Sequence, residues 1–214
     1  MSGMNYVSVI DHPLAQVALT QLRNKRTKRS AFARAARQAA LLLVTQATSG
    51  LQVKKGRVQT PLGFAPGFKL LRSLVVMPVL RAGLSLVEPV LELLPDDCEV
   101  CVHHVGLERN EKTAKARRYY PKKLRKIRPD QVVLLVDPML ATGGSARNAI
   151  EQIIAAGGRH IILICIVAAP EGIRAVQARL NLPIVTLAID SHLNKYKYIV
   201  PGLGDFGDRL YGTI

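Results

Sequence analysis

The hydrophobic residues of this chain fall into short continuous runs that alternate with stretches of helical periodicity. The run from 131 to 136 is the clearest, because it is apolar and rich in β-branched residues. Continuous apolar strands separated by helices indicate a parallel sheet with both faces covered. The pattern therefore predicts an α/β fold. The predicted strands are 74–80, 101–105, 131–136, 161–167 and 184–187, and two of the predicted helices are 146–156 and 171–180.

Two amphipathic helices are predicted ahead of the first strand. Asp11 is placed to cap the first helix, and Pro13 is tolerated in its first turn. Ser30 is placed to cap the second helix, which ends at Gly50. The predicted apolar faces of the two helices are formed by Leu14, Ala18 and Leu22, and by Phe32, Ala35, Ala36, Ala39, Leu42 and Leu43.

The composition limits the class of protein. With 214 residues, of which 49% are hydrophobic, the chain can bury a core of its own, and intrinsic disorder is excluded. Three cysteines are an odd number, which excludes a disulfide scaffold. The longest apolar run, 161–169, is far shorter than a membrane span, and the first residues lack the order of a signal peptide. We therefore expect one domain over residues 1–214 in a soluble, cytoplasmic protein.

A candidate phosphate-binding loop, residues 137–145, joins the clearest strand to a helix. Its small residues let backbone N–H groups converge on an anion, and the helix dipole favours negative charge there. Asp137 stands at the strand tip, where it can accept hydrogen bonds from sugar hydroxyls. The alternative is an ordinary strand-to-helix turn with a capping serine. A Walker loop is excluded, because Gly144 stands where that motif requires lysine.

The sequence DPMLATGGS in this loop resembles the phosphoribosyl-diphosphate (PRPP) loop of type I phosphoribosyltransferases, and specifically that of the uracil phosphoribosyltransferase family. Similar stretches of that family occur along the whole chain in the same order. They are DHPL at 11–14, TPLG at 60–63, LRAGLSLVEPVLELLP at 80–95, AAPEGI at 168–173 and YIVPGLGDFGDRLYGT at 198–213.

This resemblance implies a type I phosphoribosyltransferase fold, a parallel sheet flanked by helices with a small hairpin or hood. It also implies the transfer of the phosphoribosyl group of PRPP to uracil, giving UMP and pyrophosphate. Mg²⁺ is the implied cofactor, held mainly through PRPP and without direct protein ligands. A homodimer or higher oligomer and GTP binding are further expectations of the same origin.

The site residues follow from the same resemblance. Arg81, Asp137 and Asp205 are the implied catalytic residues, and Arg109 is a PRPP arginine with an unexpected Glu108 beside it. Uracil would be recognised mainly by main-chain groups. The Phe206 side chain would either narrow the slot, which is the expectation we test, or point away from it. The implied PRPP-binding residues are Arg81, Arg109, Asp137, Pro138, Met139, Leu140, Ala141, Thr142, Gly143, Gly144, Ser145 and Asp205, and the implied uracil-binding residues are Ile199, Gly204, Asp205 and Phe206.

Two other patterns are weaker indications of a functional site. Residues 202–207 match the dinucleotide motif GxGxxG, but no helix and strand can follow so late in the chain. Cys98 and Cys101, with His103 and His104 nearby, resemble part of a zinc site. Alternation along a strand accounts for those four residues without a metal.

The net charge of +15 is not explained by the implied reaction. Residues 23–29 contain five basic side chains, and residues 109–128 contain ten, part of them in an expected active-site hairpin. A solvated surface with weak, non-specific polyanion binding is one interpretation. The alternatives are an RNA-binding regulator built on the same fold, or a phosphoribosyltransferase for another nucleobase.

Overall fold

The structure, a computed structural model, describes residues 6–109, 116–120, 124–178 and 180–213, with backbone only for 105–109 and 116–120. The strands are β1 Val7–Val9, β2 Val53–Thr60, β3 Gly63–Leu70, β4 Leu74–Leu80, β5 Val100–Val102, β6 Val105–Arg109, β7 Ala116–Tyr120, β8 Val132–Val136, β9 Met139–Leu140, β10 His160–Ile164, β11 Val167–Ala168, β12 Ile184–Thr186, β13 Ala188–Ile189, β14 His192–Leu193 and β15 Ile199–Val200. The helices are α1 Pro13–Arg23, α2 Arg29–Thr48, α3 Val87–Leu93, α4 Gly144–Ala155, α5 Pro170–Gln177 and α6 Phe206–Tyr211, with a 3-10 helix at Ala82–Leu86.

A mainly parallel sheet forms the centre of the molecule, in the strand order β1-β12-β10-β8-β4-β6-β7, with β5 also paired to β4. Strands β6 and β7 pair antiparallel at the end of this order, and β7 lies within residues 109–128, where part of an active-site hairpin is expected. The α/β prediction is therefore confirmed. Strands β4 and β8 are neighbours, but the next strands of this sheet along the chain, β5 and β10, lie on opposite sides of this pair. Ligands bind at such a switch point in open α/β sheets.

Helices cover both faces of the sheet. Alternate side chains of the buried strands point into two hydrophobic clusters, one shared with α1 and α2 and the other with α4 and α5. Most of the apolar side of α2 predicted from the sequence is buried in the first cluster, where alanines allow the helix to lie close to its neighbours. Its buried members include Phe32, Ala35, Ala36, Ala39 and Leu43.

The predicted helix starts are wrong in detail. His12, not Asp11, caps α1, because its Nδ1 accepts a hydrogen bond from the Leu14 N–H at 3.1 Å. Of the predicted apolar face of α1, Ala18 and Leu22 are buried, whereas Leu14 is 64% exposed and Ala15 is buried in its place. Helix α2 begins two residues earlier than expected, with Lys28 rather than Ser30 at the cap position and no side-chain cap.

Strands β2 and β3 form a separate antiparallel hairpin that the hydrophobic pattern did not predict. Its turn falls at the TPLG sequence, with Thr60 paired to Gly63. Three apolar side chains stand out into solvent on it: Leu62 at 100%, Phe64 at 67% and Phe68 at 60% exposure. Among the residues that the structure describes, none of the helices combines the length and hydropathy needed to cross a bilayer.

Candidate active site

The carboxyl ends of β4 and β8 carry Arg81 and Asp137 to the same edge of the sheet. The two strands pair in register up to Pro78 and Val136, so the residues that follow them are close in space. A cavity of about 230 Å³ opens at this edge. It unites nine of the residues expected from the sequence: Arg81, Asp137, Met139, Ala141, Ser145, Ile199, Gly204, Asp205 and Phe206.

Burial governs the chemistry of Asp137. Its surroundings raise the pKa of the carboxyl group from 3.8 to about 7, and a weak hydrogen bond from the Met139 N–H opposes that rise. The side chain nevertheless lines the cavity. Asp137 therefore has a carboxyl group at the cavity wall whose charge state changes near neutral pH.

The turn after β4 brings Arg81 close to the end of β8. A Cβ atom at Gly83 would lie 2.5 Å from the Val136 carbonyl oxygen, so only glycine permits this approach. The peptide bond between Leu80 and Arg81 is cis. The Tyr211 hydroxyl donates to the Arg81 carbonyl at 3.3 Å, which ties this turn to α6. The guanidinium group is thus presented at the cavity by a compact, glycine-dependent turn.

The loop from β9 to α4 has the geometry of an anion cradle. Gly143 is the N-cap of α4 with φ of 75°, a conformation that favours glycine. Gly143 provides no side-chain cap, and the first turn contains no acidic residue. The capping serine of the alternative interpretation is therefore wrong. The Gly144 N–H makes only a long hydrogen bond, 3.4 Å, to the Thr142 Oγ1. The N–H groups of the first turn are therefore available to an anion beside the Ser145 hydroxyl.

Helix α5 holds this loop from behind. A Cβ atom at Gly172 would lie 2.5 Å from the Ala141 carbonyl oxygen and 2.7 Å from that of Leu140. Next to it, Glu171 accepts a hydrogen bond from the Leu193 N–H at 3.0 Å, while its other carboxylate oxygen is buried without a partner among the described residues. The start of α5 therefore touches both the loop and the segment that carries Ile199.

Several predicted residues belong to the loop without lining the cavity. Pro138 is buried, and its carbonyl accepts from the Ile166 and Val167 N–H groups. The Leu140 side chain is in the core. Thr142, Gly143 and Gly144 form the approach to α4 but are not among the cavity walls. Arg109 ends β6, and its side chain lies outside what the structure describes.

Asp205 has a structural task in addition to its place in the cavity. It is the N-cap of α6, where its Oδ1 accepts a hydrogen bond from the Asp208 N–H at 3.0 Å. Asp205 is exposed, and the second carboxylate oxygen makes no hydrogen bond within the described ranges. One oxygen of this carboxylate therefore caps α6, and the other is available to a ligand.

The structure places the Phe206 ring in the core and so favours the alternative in which this side chain points away from the slot. Phe206 is 2% exposed, and its ring lies 5.3 Å from that of Phe32, tilted by 58°. This aromatic pair belongs to the core cluster under α2, because α6 turns its apolar side inward. A ring fixed in this way does not narrow the slot, although Phe206 remains part of the cavity wall.

Lys197 and Tyr198 also line the cavity and were not predicted from the sequence. Lys197 has φ of 66°, a strained conformation for a residue with a side chain. The Asn194 side chain stabilises this turn by accepting from the Tyr196 and Tyr198 N–H groups at 2.9 and 3.0 Å. An asparagine opening a polar turn was the signal in the sequence.

The suggested zinc site is not formed. Cys98 packs toward one face of the sheet and Cys101 toward the other. Over the described ranges of the chain, no group of three or more histidine, cysteine or acidic side chains could hold a metal ion. Alternation along one strand does not account for all four residues either, because only Cys101 lies in β5.

Comparisons with known proteins agree with this geometry. The sequence model of the uracil phosphoribosyltransferase family matches residues 9–213. The uracil phosphoribosyltransferase of Dictyoglomus turgidum is 45% identical over 210 residues, which is 97% of this chain and 99% of that protein. Among solved structures, protein AQ2163 from Aquifex aeolicus has a TM-score of 0.87 and 31% identity, covering 96% of this chain and 97% of the other.

A more distant structure shares the fold alone. Adenine phosphoribosyl transferase from Trypanosoma brucei, solved with AMP, pyrophosphate and ribose-5-phosphate, has a TM-score of 0.55 at 15% identity, covering 92% of this chain and 90% of that one. The full-length sequence match, together with the cavity at the β4 and β8 ends, establishes that this chain belongs to the uracil phosphoribosyltransferase family.

Proposed function

We propose that this enzyme joins N1 of uracil to C1′ of PRPP, releasing pyrophosphate and forming UMP. The observation that carries the proposal is the cavity itself. It brings a strand-end arginine, a strand-end aspartate and the PRPP-type loop together with a glycine-bounded segment from the other end of the chain. Such a site can hold a phosphorylated sugar and a planar base side by side.

The described residues suggest a division of roles. The N–H groups of residues 142–145 and the Ser145 hydroxyl would bind the 5′-phosphate, since they lie at the start of α4, where Gly143 provides no side-chain cap. Arg81 would bind the diphosphate through its planar fork. The carboxylate of Asp137 would accept hydrogen bonds from ribose hydroxyls. Together these groups would orient C1′ and stabilise the charge on the departing pyrophosphate.

The base would be held chiefly by backbone groups. Uracil presents two carbonyl oxygens and an N3–H, which match the N–H and C=O groups of a fixed main-chain segment. Ile199 and Gly204 line the cavity, and Gly204 has φ of 82° with no atom close to the position of a Cβ other than the Arg209 side chain. Cytosine would leave such backbone groups unpaired, which disfavours it.

Mg²⁺ fits this site as a partner of the diphosphate. The protein alone offers no three-residue cluster for a metal in the described ranges, but Asp137 and Asp205 both line the cavity. These carboxylates would contact the ion or its water molecules. Bound with the diphosphate, Mg²⁺ supplies charge neutralisation for the leaving group. Arg109 remains part of the proposal as a second diphosphate contact.

The test is a nucleobase panel. Purified protein, PRPP and Mg²⁺ are combined with uracil, cytosine, adenine, hypoxanthine or guanine, and the mononucleotide is measured by chromatography. We expect UMP from uracil and at least about 100-fold slower turnover of the other bases. Faster turnover of any other base would assign this enzyme to that base instead. An Arg81→Ala variant that folds normally should lose UMP synthesis.

We also propose that the protein is a homodimer that uses the β2–β3 hairpin. Leu62, Phe64 and Phe68 place apolar surface on a projecting element, which favours contact with a second chain. The paired substitution of Phe64 and Phe68 by serine should lower the mass measured by light scattering from a dimer to a monomer. A monomeric wild-type protein, or an unchanged mass, would contradict this role of the hairpin.

A further inference from the structure

Arg23, at the end of α1, forms a bidentate ion pair with Asp190, which lies 167 positions later in the sequence. The two distances between guanidinium nitrogens and carboxylate oxygens are 2.6 and 3.0 Å. The Asp190 side chain is 5% exposed and that of Arg23 is 26% exposed. A largely buried charge pair needs fixed geometry and further hydrogen bonds to be tolerated, so its additional partners are informative.

Those additional partners are the two polar backbone groups of Gly202. The guanidinium group donates to the Gly202 carbonyl at 3.0 Å, and the Asp190 carboxylate accepts from the Gly202 N–H at 2.8 Å. Neither group of this glycine can therefore rotate without breaking a hydrogen bond to a charged side chain. Bonds of this kind are stronger than those between neutral groups.

The bend at Gly202 is one that the chain would not keep unaided. Gly202 has φ of 59°, and a Cβ atom there would lie 2.2 Å from the Ile199 carbonyl oxygen. The bend separates Ile199 from Gly204, the two cavity residues whose backbone would read uracil. Its geometry therefore sets the distance between the two sides of the base slot.

We infer that the Arg23–Asp190 pair is a positioning device for uracil, which holds the base-reading backbone at working geometry without touching the substrate. The inference rests on the proposed function, and it assigns α1 a part in base selection. It also separates Arg23 from the rest of the basic run 23–29, because its charge is directed inward. PRPP contacts at the β4 and β8 ends involve neither residue.

Two variants test the pair by kinetics. Arg23→Lys keeps the charge but removes the planar fork, and Asp190→Asn removes the negative charge with little change in shape. Each should raise the KM for uracil about 10–100-fold, because a smaller fraction of the protein has a competent slot and small misplacements are costly. The KM for PRPP should change less than about twofold on the same scale.

The matched control is Glu99→Gln. Glu99 forms a bidentate pair with Arg128, at 3.0 Å for both contacts, and it precedes β5 at the opposite edge of the sheet from the cavity. This variant should leave both KM values unchanged. Melting curves for all variants identify any that are unfolded at the assay temperature. Arg23→Lys is the milder change and keeps the test decisive if Asp190→Asn does not fold.

Hydrogen exchange without substrate tests the pair independently of turnover. Amides of residues 199–204 should exchange faster in Arg23→Lys than in the wild-type protein, while those of residues 141–147 should be unaffected. Equal exchange in both proteins, or a parallel rise in the KM for PRPP, would overturn the inference. If the wild-type protein makes no UMP, the proposed function fails, and the exchange comparison alone decides whether the pair holds the bend.

Discussion

Asp137 sits where a charged carboxylate is disfavoured in the free protein. Because burial raises the pKa to about 7, the folded state binds a proton more tightly than the unfolded state, whose carboxyl group titrates near 3.8. Stability from this group is complete below about pH 4 and is lost as the pH rises through about 7. A neighbouring arginine, or a metal ion bound together with PRPP, would favour the charged carboxylate form of Asp137.

Asp137→Asn should remove this dependence. The melting temperature of the variant should exceed that of the wild-type protein by an amount that grows between pH 4 and pH 8, while UMP synthesis falls at every pH. Asp11→Asn, at an exposed carboxylate, is the control and should show no such trend. A constant difference in melting temperature over that range would mean that Asp137 is charged throughout.

Phe206 shows why a residue type within a motif does not give the direction of its side chain. Its ring contacts Phe32 in the core. Phe206→Ala should therefore lower the free energy of unfolding by about 3–5 kcal/mol without admitting 5-substituted uracils. Leu14→Ala, at an exposed side chain of α1, should cost less than about 1 kcal/mol. Relaxed rejection of 5-substituted uracils by a stable Phe206→Ala protein would restore the slot-narrowing role.

At the scale of elements, the long apolar strands and the main helices could be predicted because burial on both faces leaves a continuous pattern. The two-residue strands β9, β11 and β13 could not, since pairs this short have no periodicity of their own. The β2–β3 hairpin could not be predicted for a different reason. Nearly all residues of β2 are exposed, so no hydrophobic side marks it.

The contact between α5 and the PRPP-type loop can be tested by a substitution that adds a single methyl group. Gly172→Ala places a Cβ against two carbonyl oxygens, so we expect a loss of about 1–3 kcal/mol in stability and a raised KM for PRPP. Gly50→Ala, after α2, is the matched control, because nothing lies within 4 Å of its added Cβ. Retention of a wild-type KM for PRPP by Gly172→Ala would show that the loop does not depend on this contact.

For the whole molecule, the positive charge divides into inward and outward parts. Arg23 is committed to Asp190, and the Nε of Arg29 donates to the Leu210 carbonyl at 2.9 Å. Lys25, Arg26 and Lys28 are exposed. The sequence alone could not separate these groups, because their partners lie more than 150 positions away. Two of the basic side chains in residues 23–29, Arg23 and Arg29, therefore make contacts within the fold, which weakens the RNA-regulator alternative.

Replacing Lys25, Arg26 and Lys28 with glutamine should weaken binding to single-stranded RNA and leave UMP synthesis unchanged. The slope of log affinity against log salt should become shallower by about 0.7 for each RNA phosphate that the variant no longer neutralises. Unrelated RNAs should compete equally for the wild-type protein in a gel assay. A single RNA that binds tightly at physiological salt and resists competition would instead favour the regulator.

The strand order also has a consequence for biosynthesis. Val7 pairs with Ile184, so β1 cannot pair with β12 until about 180 further residues have been synthesised. At ribosomal rates this takes roughly 10–35 s. Arg23 waits about as long for Asp190. The phosphate cradle is held by α5, so a nascent chain can complete it once α5 has been made, before its base slot at residues 199–204. During translation, sugar-phosphate binding should therefore precede the ability to select uracil, and a stalled ribosome would carry the first without the second.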